Sequence, residues 1–332
     1  MSRFIFISQA PTLRQLALVY RRMLALSALV ALAACEGATD SLAPDAVGAP
    51  EIAAAPSPGL PALTTNRIAF ASHTAGGYAD IWTVSPQAGT PTRLTSFTGQ
   101  ELSPSWSFDH TRIAFARTRN GILDIYLMKP DGTGKRWARS MTYPGPIDQP
   151  SWSPDGSHLL VRVYSQGTYL AKLELATGNL VLVAPERALA VQGSYPIYDP
   201  AGINIYYRDD ATNRAIKRFV PGGAETTVLT STWSLGDLAI SPDGKRLAYA
   251  AAVMDNNWEI YVMDLATKVI KRLTNSDGTD ARPTWSPDGT RLAFYSARTG
   301  MPQIWTMNSS TGGGLTRITD QPHGASGPAW VR

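Results

Sequence analysis

Pro283-Thr284-Trp285-Ser286-Pro287-Asp288-Gly289 is a phrase that this chain repeats. It stands upstream as Pro104-Ser105-Trp106-Ser107-Phe108-Asp109 and as Pro150-Ser151-Trp152-Ser153-Pro154-Asp155-Gly156. Two copies are weaker. In Pro196-Ile197-Tyr198-Asp199-Pro200-Ala201-Gly202 a Tyr replaces the Trp and an Ala the Asp. In Leu238-Ala239-Ile240-Ser241-Pro242-Asp243-Gly244 an Ile stands at the Trp position. The final residues carry Pro328-Ala329-Trp330-Val331. The spacing is ~45 residues, the length of one four-stranded propeller blade.

Each phrase is followed by a short β-rich run. The runs are Arg67-Ile68-Ala69-Phe70, Arg112-Ile113-Ala114-Phe115, His158-Leu159-Leu160-Val161, Asn204-Ile205-Tyr206-Tyr207, Arg246-Leu247-Ala248-Tyr249 and Arg291-Leu292-Ala293-Phe294. A third run follows, clearest in Asp80-Ile81-Trp82, Asp124-Ile125-Tyr126, Glu259-Ile260-Tyr261 and Gln303-Ile304-Trp305. A fourth closes the unit, as in Thr92-Arg93-Leu94-Thr95, Lys271-Arg272-Leu273-Thr274 and Thr316-Arg317-Ile318-Thr319. Aromatic and β-branched runs bounded by turn residues read as short antiparallel strands.

The turn chemistry agrees. Ser-Pro-Asp-Gly places Pro where φ is fixed near −65° and Gly where the turn ends. The Pro opening the Trp phrase cannot donate to a ladder, so it belongs on an edge strand, the innermost of a blade. The tryptophans are expected to pack between blades rather than stack on a ligand. Counting gives an all-β, six-bladed propeller with four antiparallel strands per blade. The first run supplies strands two to four of a blade and the final phrase its first strand, so the two ends close the ring three-plus-one.

Pro-x-Trp-Ser-Pro-Asp-Gly, then basic-Ile/Leu-Ala-Phe/Tyr, then acidic-Ile-Tyr/Trp, resembles the WD40-like (PD40) repeat of TolB-type propellers. The resemblance covers residues 64–332. It implies the fold and an envelope protein that binds other proteins. TolB proteins carry a further globular domain before the propeller, whereas the residues preceding this one read as a tether.

The first residues read as an export signal. Arg21-Arg22 precedes an apolar run, Met23 to Ala34, too short to span a bilayer. Leu32-Ala33-Ala34-Cys35 resembles a bacterial lipobox, which implies cleavage after Ala34 and lipid attachment at Cys35, the only cysteine. Residues 35–63 are Ala- and Pro-rich and read as a semi-extended tether. Glu36 is not the Asp of inner-membrane retention, so the expected site is the periplasmic side of the envelope, with outer membrane favoured.

The net charge of +4 is local to this signal. Arg3, Arg14, Arg21 and Arg22 lie within it and no acid does, so the rest has as many basic residues as its 26 acidic ones. Nucleic acid is therefore not an expected partner.

One face of such a ring carries the loops from strand two to three and from four to one. Here these include 72–80, 117–124, 208–214, 251–258 and 296–303, with 142–149, 229–236, 274–282 and 319–327. They hold Arg117, Arg119, Tyr143, Arg208, Arg214, Trp233, Trp258, Arg282 and Arg298, residue types enriched at protein interfaces. The first reading is a non-catalytic module that docks an envelope protein or peptide on this face and needs no cofactor. The second is a metal-dependent enzyme on acidic sugars, resembling the oligogalacturonate lyases. His73 and His323 fall in one blade near Asp80 and are its candidate ligands. There is no Gly-x-Ser-x-Gly, P-loop or dinucleotide fingerprint. Asn275 to Asp280 resembles half of a calcium loop without its closing Glu.

Overall fold

In the computed structural model, residues 66–87, 89–139, 145–183, 191–254 and 257–331 are described. The export segment, Cys35 and the tether lie outside them. All regular elements among them are strands, in six four-stranded antiparallel sheets. Blade one joins β1 (Ile68–His73), β2 (Ala79–Val84) and β3 (Thr92–Arg93) to β24 (Ala325–Trp330). Blade two is β4 (Glu101–Trp106), β5 (Ile113–Arg119), β6 (Ile122–Met128) and β7 (Arg136–Trp137). Blade three is β8 (Ile147–Trp152), β9 (His158–Tyr164), β10 (Thr168–Glu174) and β11 (Leu180–Leu182). Blade four is β12 (Gly193–Tyr198), β13 (Ile205–Asp209), β14 (Ala215–Phe219) and β15 (Glu225–Thr230). Blade five is β16 (Leu235–Ile240), β17 (Arg246–Met254), β18 (Asn257–Asp264) and β19 (Ile270–Arg272), and blade six is β20 (Asp280–Trp285), β21 (Arg291–Ser296), β22 (Gln303–Asn308) and β23 (Thr316–Arg317). Closure is as expected: β24 pairs with β1, Ala329 opposite Ala69 and Ser326 opposite Ala71.

The repeated residues build the ring. In the Ser-Pro-Asp-Gly turns the Ser hydroxyl donates to the Asp carboxylate, 2.6 Å in Ser153–Asp155 and in Ser286–Asp288. The same hydroxyl accepts the amide of the next strand, as from His158 and Arg291. The Ser153 hydroxyl and the Ser157 amide draw the Asp155 carboxyl down to about 2. Gly156 sits at φ +68°, where a side chain is strained.

The tryptophans join blades. Trp106, Trp152 and Trp285 are buried, and each indole N–H donates to an innermost-strand carbonyl of the preceding blade: Ala329, Ser105 and Ala239. The basic residue opening strand two completes the joint. Arg112 lies 4.5 Å over Trp152 and Arg246 4.5 Å over Trp285. The two departures at the third joint compensate one another. His158 stands where Arg would and Tyr198 where Trp would, and they hydrogen-bond at 2.7 Å.

The fourth-strand Arg-Leu/Ile-Thr is also structural. The Thr hydroxyl accepts a third-strand amide, Ile81 to Thr95, Ile260 to Thr274 and Ile304 to Thr319. The Arg ties the acidic residue of the third strand, Arg93–Asp80 at 2.6 Å and Arg272–Glu259 at 3.0 Å.

Candidate functional site

Every innermost strand carries a bulge at the residue before the Pro, or before Leu238, which takes the place of the Pro in blade five. The register slips between Leu102 and Ser105, Asp148 and Ser151, Ser194 and Ile197, Gly236 and Leu238, and Ala281 and Thr284. The bulged residue takes positive φ: Ser103 52°, Gln149 52°, Tyr195 56°, Asp237 22°, Arg282 55° and Gly327 59°. A bulge re-aims its side chain. These six residues, one per blade, line a central cavity of about 160 Å³.

The ring is polar and unsymmetric. Gln149 accepts the Tyr195 amide at 2.7 Å. Arg282 Nε lies 3.6 Å from Asp237 Oδ1. A Cβ on Gly327 would stand 2.9 Å from Arg282 Nη1, so the bare glycine leaves room for the guanidinium. Burial pushes the Asp237 carboxyl up, against the pull of Arg282, Arg208 and Arg162. Arg162 forks onto Asp148 at 2.9 and 2.7 Å and reaches Ser194 at 3.0 Å.

The loop-face residues divide. Arg282 lies within β20 and lines the channel, not a loop. Trp258 lies within β18, half-buried against the core, with its ring beside Gly236. Arg298 is held by Asp280 at 2.8 Å, and Arg208 by Asp210 at 2.7 Å while lying over Tyr195. Arg119 closes β5 and stacks on Trp137 at 5.3 Å. Arg214 and Trp233 are exposed, Trp233 by 46%. Tyr143 lies outside the described residues.

The metal expectation is not met. His73 and His323 do lie in blade one, both exposed. Asp80 is buried and spent on Arg93. No group of three His, Cys, Asp or Glu suited to a metal forms among the described residues. Asp280, at the end of the half calcium loop, is likewise tied to Arg298.

Arg117 is arranged differently from its neighbours. Its guanidinium lies 3.8 Å from the Phe97 ring centre and 5.0 Å from that of Tyr126. It stands directly across the ladder from Glu101, which is fully buried. Yet Arg117 Nε and Glu101 Oε1 are both buried without a hydrogen-bond partner. The other Glu101 oxygen accepts from the Thr95 hydroxyl.

Burial pushes the Glu101 carboxyl up to about 7, with Asp80 adding to the rise and Thr95 and Arg117 opposing it. A carboxyl raised in the folded state costs stability as pH climbs from its unfolded value through its folded one. The Glu101→Gln variant is therefore expected to melt higher than wild type at pH 8, and to lose that advantage by pH 5. The difference is bounded at ~3 kcal/mol. Thermal melts at the two pH values measure it; a variant less stable at both would refute the assignment.

The family model of the TolB β-propeller domain matches residues 48–221 and 220–331. An uncharacterised protein of Agrobacterium fabrum is 31% identical over 193 residues, 54% of this chain and 60% of that protein. The crystal structure of TolB from Acinetobacter baumannii superposes with a TM-score of 0.68 at 20% identity, over 80% of this chain and 66% of that one. An oligogalacturonate lyase solved with manganese gives a TM-score of 0.52 at 15% identity, over 77% of this chain and 74% of that one. The chain thus spans about three fifths of the curated relative.

Proposed function

The chain belongs to the TolB β-propeller family, and on that premise we propose that it is a non-catalytic binding module of the cell envelope. It takes a protein or peptide at the channel mouth and the loop face around it. One observation carries the reading: the repeated residues are spent on turns and blade joints, while the channel register differs in every blade. Ser103, Gln149, Tyr195, Asp237, Arg282 and Gly327 present hydroxyl, amide, phenol, acid, base and bare backbone. Six unlike groups around one axis suit recognition of a polypeptide, whose own groups are as varied. Exposed Arg214 and Trp233 supply residue types that anchor interfaces. The Arg21-Arg22 flank, the apolar run and Cys35 support export and lipid attachment, residues 35–63 the tether. Glu36 supports the outer membrane.

The test is in-situ cross-linking and capture with the full-length lipoprotein. Arg298 is a poor residue to reverse, because Asp280 beneath it is buried. The informative variants are Arg214→Ala/Trp233→Ala on the rim and Tyr195→Ala in the channel. A discrete envelope protein captured by wild type is expected to fall at least about tenfold in both, the effect of one lost anchor. Equal capture by all three would remove the site from this face.

A further inference from the structure

We propose that Arg117, held in the notch of Phe97 and Tyr126, is a receptor for a carboxylate borne by an acidic polypeptide segment. The proposal rests on the binding-module reading and names the chemistry of one contact within it.

Most arginines near the channel and loop face already hold an acid. Arg139 has Asp124, Arg162 has Asp148, Arg208 has Asp210 and Arg298 has Asp280. The Arg117 side chain has no hydrogen bond or ion pair among the described residues, only its two rings. Stacking fixes the guanidinium plane, so less freedom is lost when a planar anion docks on its edge. Half-burial strengthens that bond relative to one in open solvent.

The arrangement is particular to blade two. Counting from the paired acids Glu101 and Asp280, the place of Arg117 is taken in blade six by Ser296, and that of Phe97 by Ser276. There the Ser276 hydroxyl bonds Asp280 at 3.1 Å, and Arg298 neutralises the same acid. In blade two neither of these ties to Glu101 is present among the described residues, and a cation stacked on two rings stands there.

The charged and titratable groups facing the pair are Asp80 from β2 with Arg93 from β3, Glu101 from β4, Tyr126 from β6 and Asp124, which stands across the ladder from Arg117 on β6 and is held by Arg139. Asp80 and Glu101 disfavour a dianion such as phosphate and leave a monoanion as the fitting ligand. Glu101 is also the internal competitor. Once ionised, it attracts the Arg117 guanidinium from across the ladder, and the ligand must compete with it. The receptor is therefore open when Glu101 carries its proton and closed when it does not.

Full-length protein with [15Nε]-arginine, titrated with sodium acetate at constant ionic strength, tests this. The Arg117 Nε–Hε resonance is identified by its loss in Arg117→Lys. At pH 6 it should shift saturably, and apparent affinity should fall about tenfold at pH 8, as the competent fraction falls. Glu101→Gln should bind equally at both pH values, and at pH 8, where inorganic phosphate is mostly the dianion, that variant should bind phosphate more weakly than acetate. No saturable shift at pH 6, tighter phosphate binding by that variant at pH 8, or a pH dependence that survives Glu101→Gln would overturn the proposal. Protein capture without an acetate response would remove the receptor alone. An acetate response without capture would keep the receptor and remove the binding module.

Discussion

A chain ending at Gly324 is expected to yield no cooperatively folding propeller. Removing β24 takes the innermost strand from blade one and opens the ring at the sheet that joins the first described strand to the last. Trp330 and Val331, both buried, are lost, and the Trp330 contact to Asn66 with them. Trp106 loses its acceptor, the Ala329 carbonyl. Ile68 and Phe70, fully buried in the closed ring, gain an open flank. At ~25 cal/mol per Å² these groups together amount to roughly 5–10 kcal/mol, comparable with the whole stability of a typical domain. The bared β1 edge is also a template for pairing with another chain. Size-exclusion chromatography and a thermal melt decide the matter. A monomer melting cooperatively within a few degrees of wild type would mean that closure does not hold this ring.

What could be read in the chain is what local chemistry repeats. The Trp phrase, the Ser-Pro-Asp-Gly turn and the strand runs are short-range patterns, and ring closure follows by counting. The innermost position of the Pro was legible too, since a residue without an N–H needs a free edge. The channel ring was not. Strand alternation predicts side-chain direction only where register is regular, and each ring residue sits on a bulge at positive φ. That is why Arg282 was expected in a loop and stands inside β20. A signal existed: the residue before the Pro is Ser, Gln, Tyr, Arg and Gly in turn, the variable place in a repeating phrase. Pairing was also hidden. Nothing near Arg298 in sequence announces Asp280, 18 residues earlier, as its partner. Trp258 misleads for a geometric reason: β17 and β18 run longer than the other hairpins, so a residue expected in the loop lies on a strand against Gly236.

Trp152→Ala should be the most damaging single substitution at a blade joint. The side chain is 1% exposed and ranks among the largest fully buried ones. Truncation removes a transfer term and leaves a cavity, together ~3–5 kcal/mol for a buried Trp. The Ser105 carbonyl loses the indole donor at 2.9 Å, and Arg112 loses the ring beneath it. Arg112 keeps its 3.1 Å bond to the Gly156 carbonyl. A total near 5 kcal/mol corresponds to a fall of ~10 °C or more in a ring this size. Trp152→Phe separates the parts: it keeps most of the bulk and drops the N–H, and should cost ~1–2 kcal/mol. Denaturant titrations of the two variants and wild type provide the check. If Trp152→Ala costs under ~1 kcal/mol, the joint is held by backbone and turn contacts, and the indoles need another role. If the cost is as expected, Trp285→Ala should match it, since Arg246 and the Ala239 carbonyl repeat the same joint. Tyr198→Ala, at the joint where His158 replaces the arginine, should cost less, because a smaller ring leaves a smaller cavity.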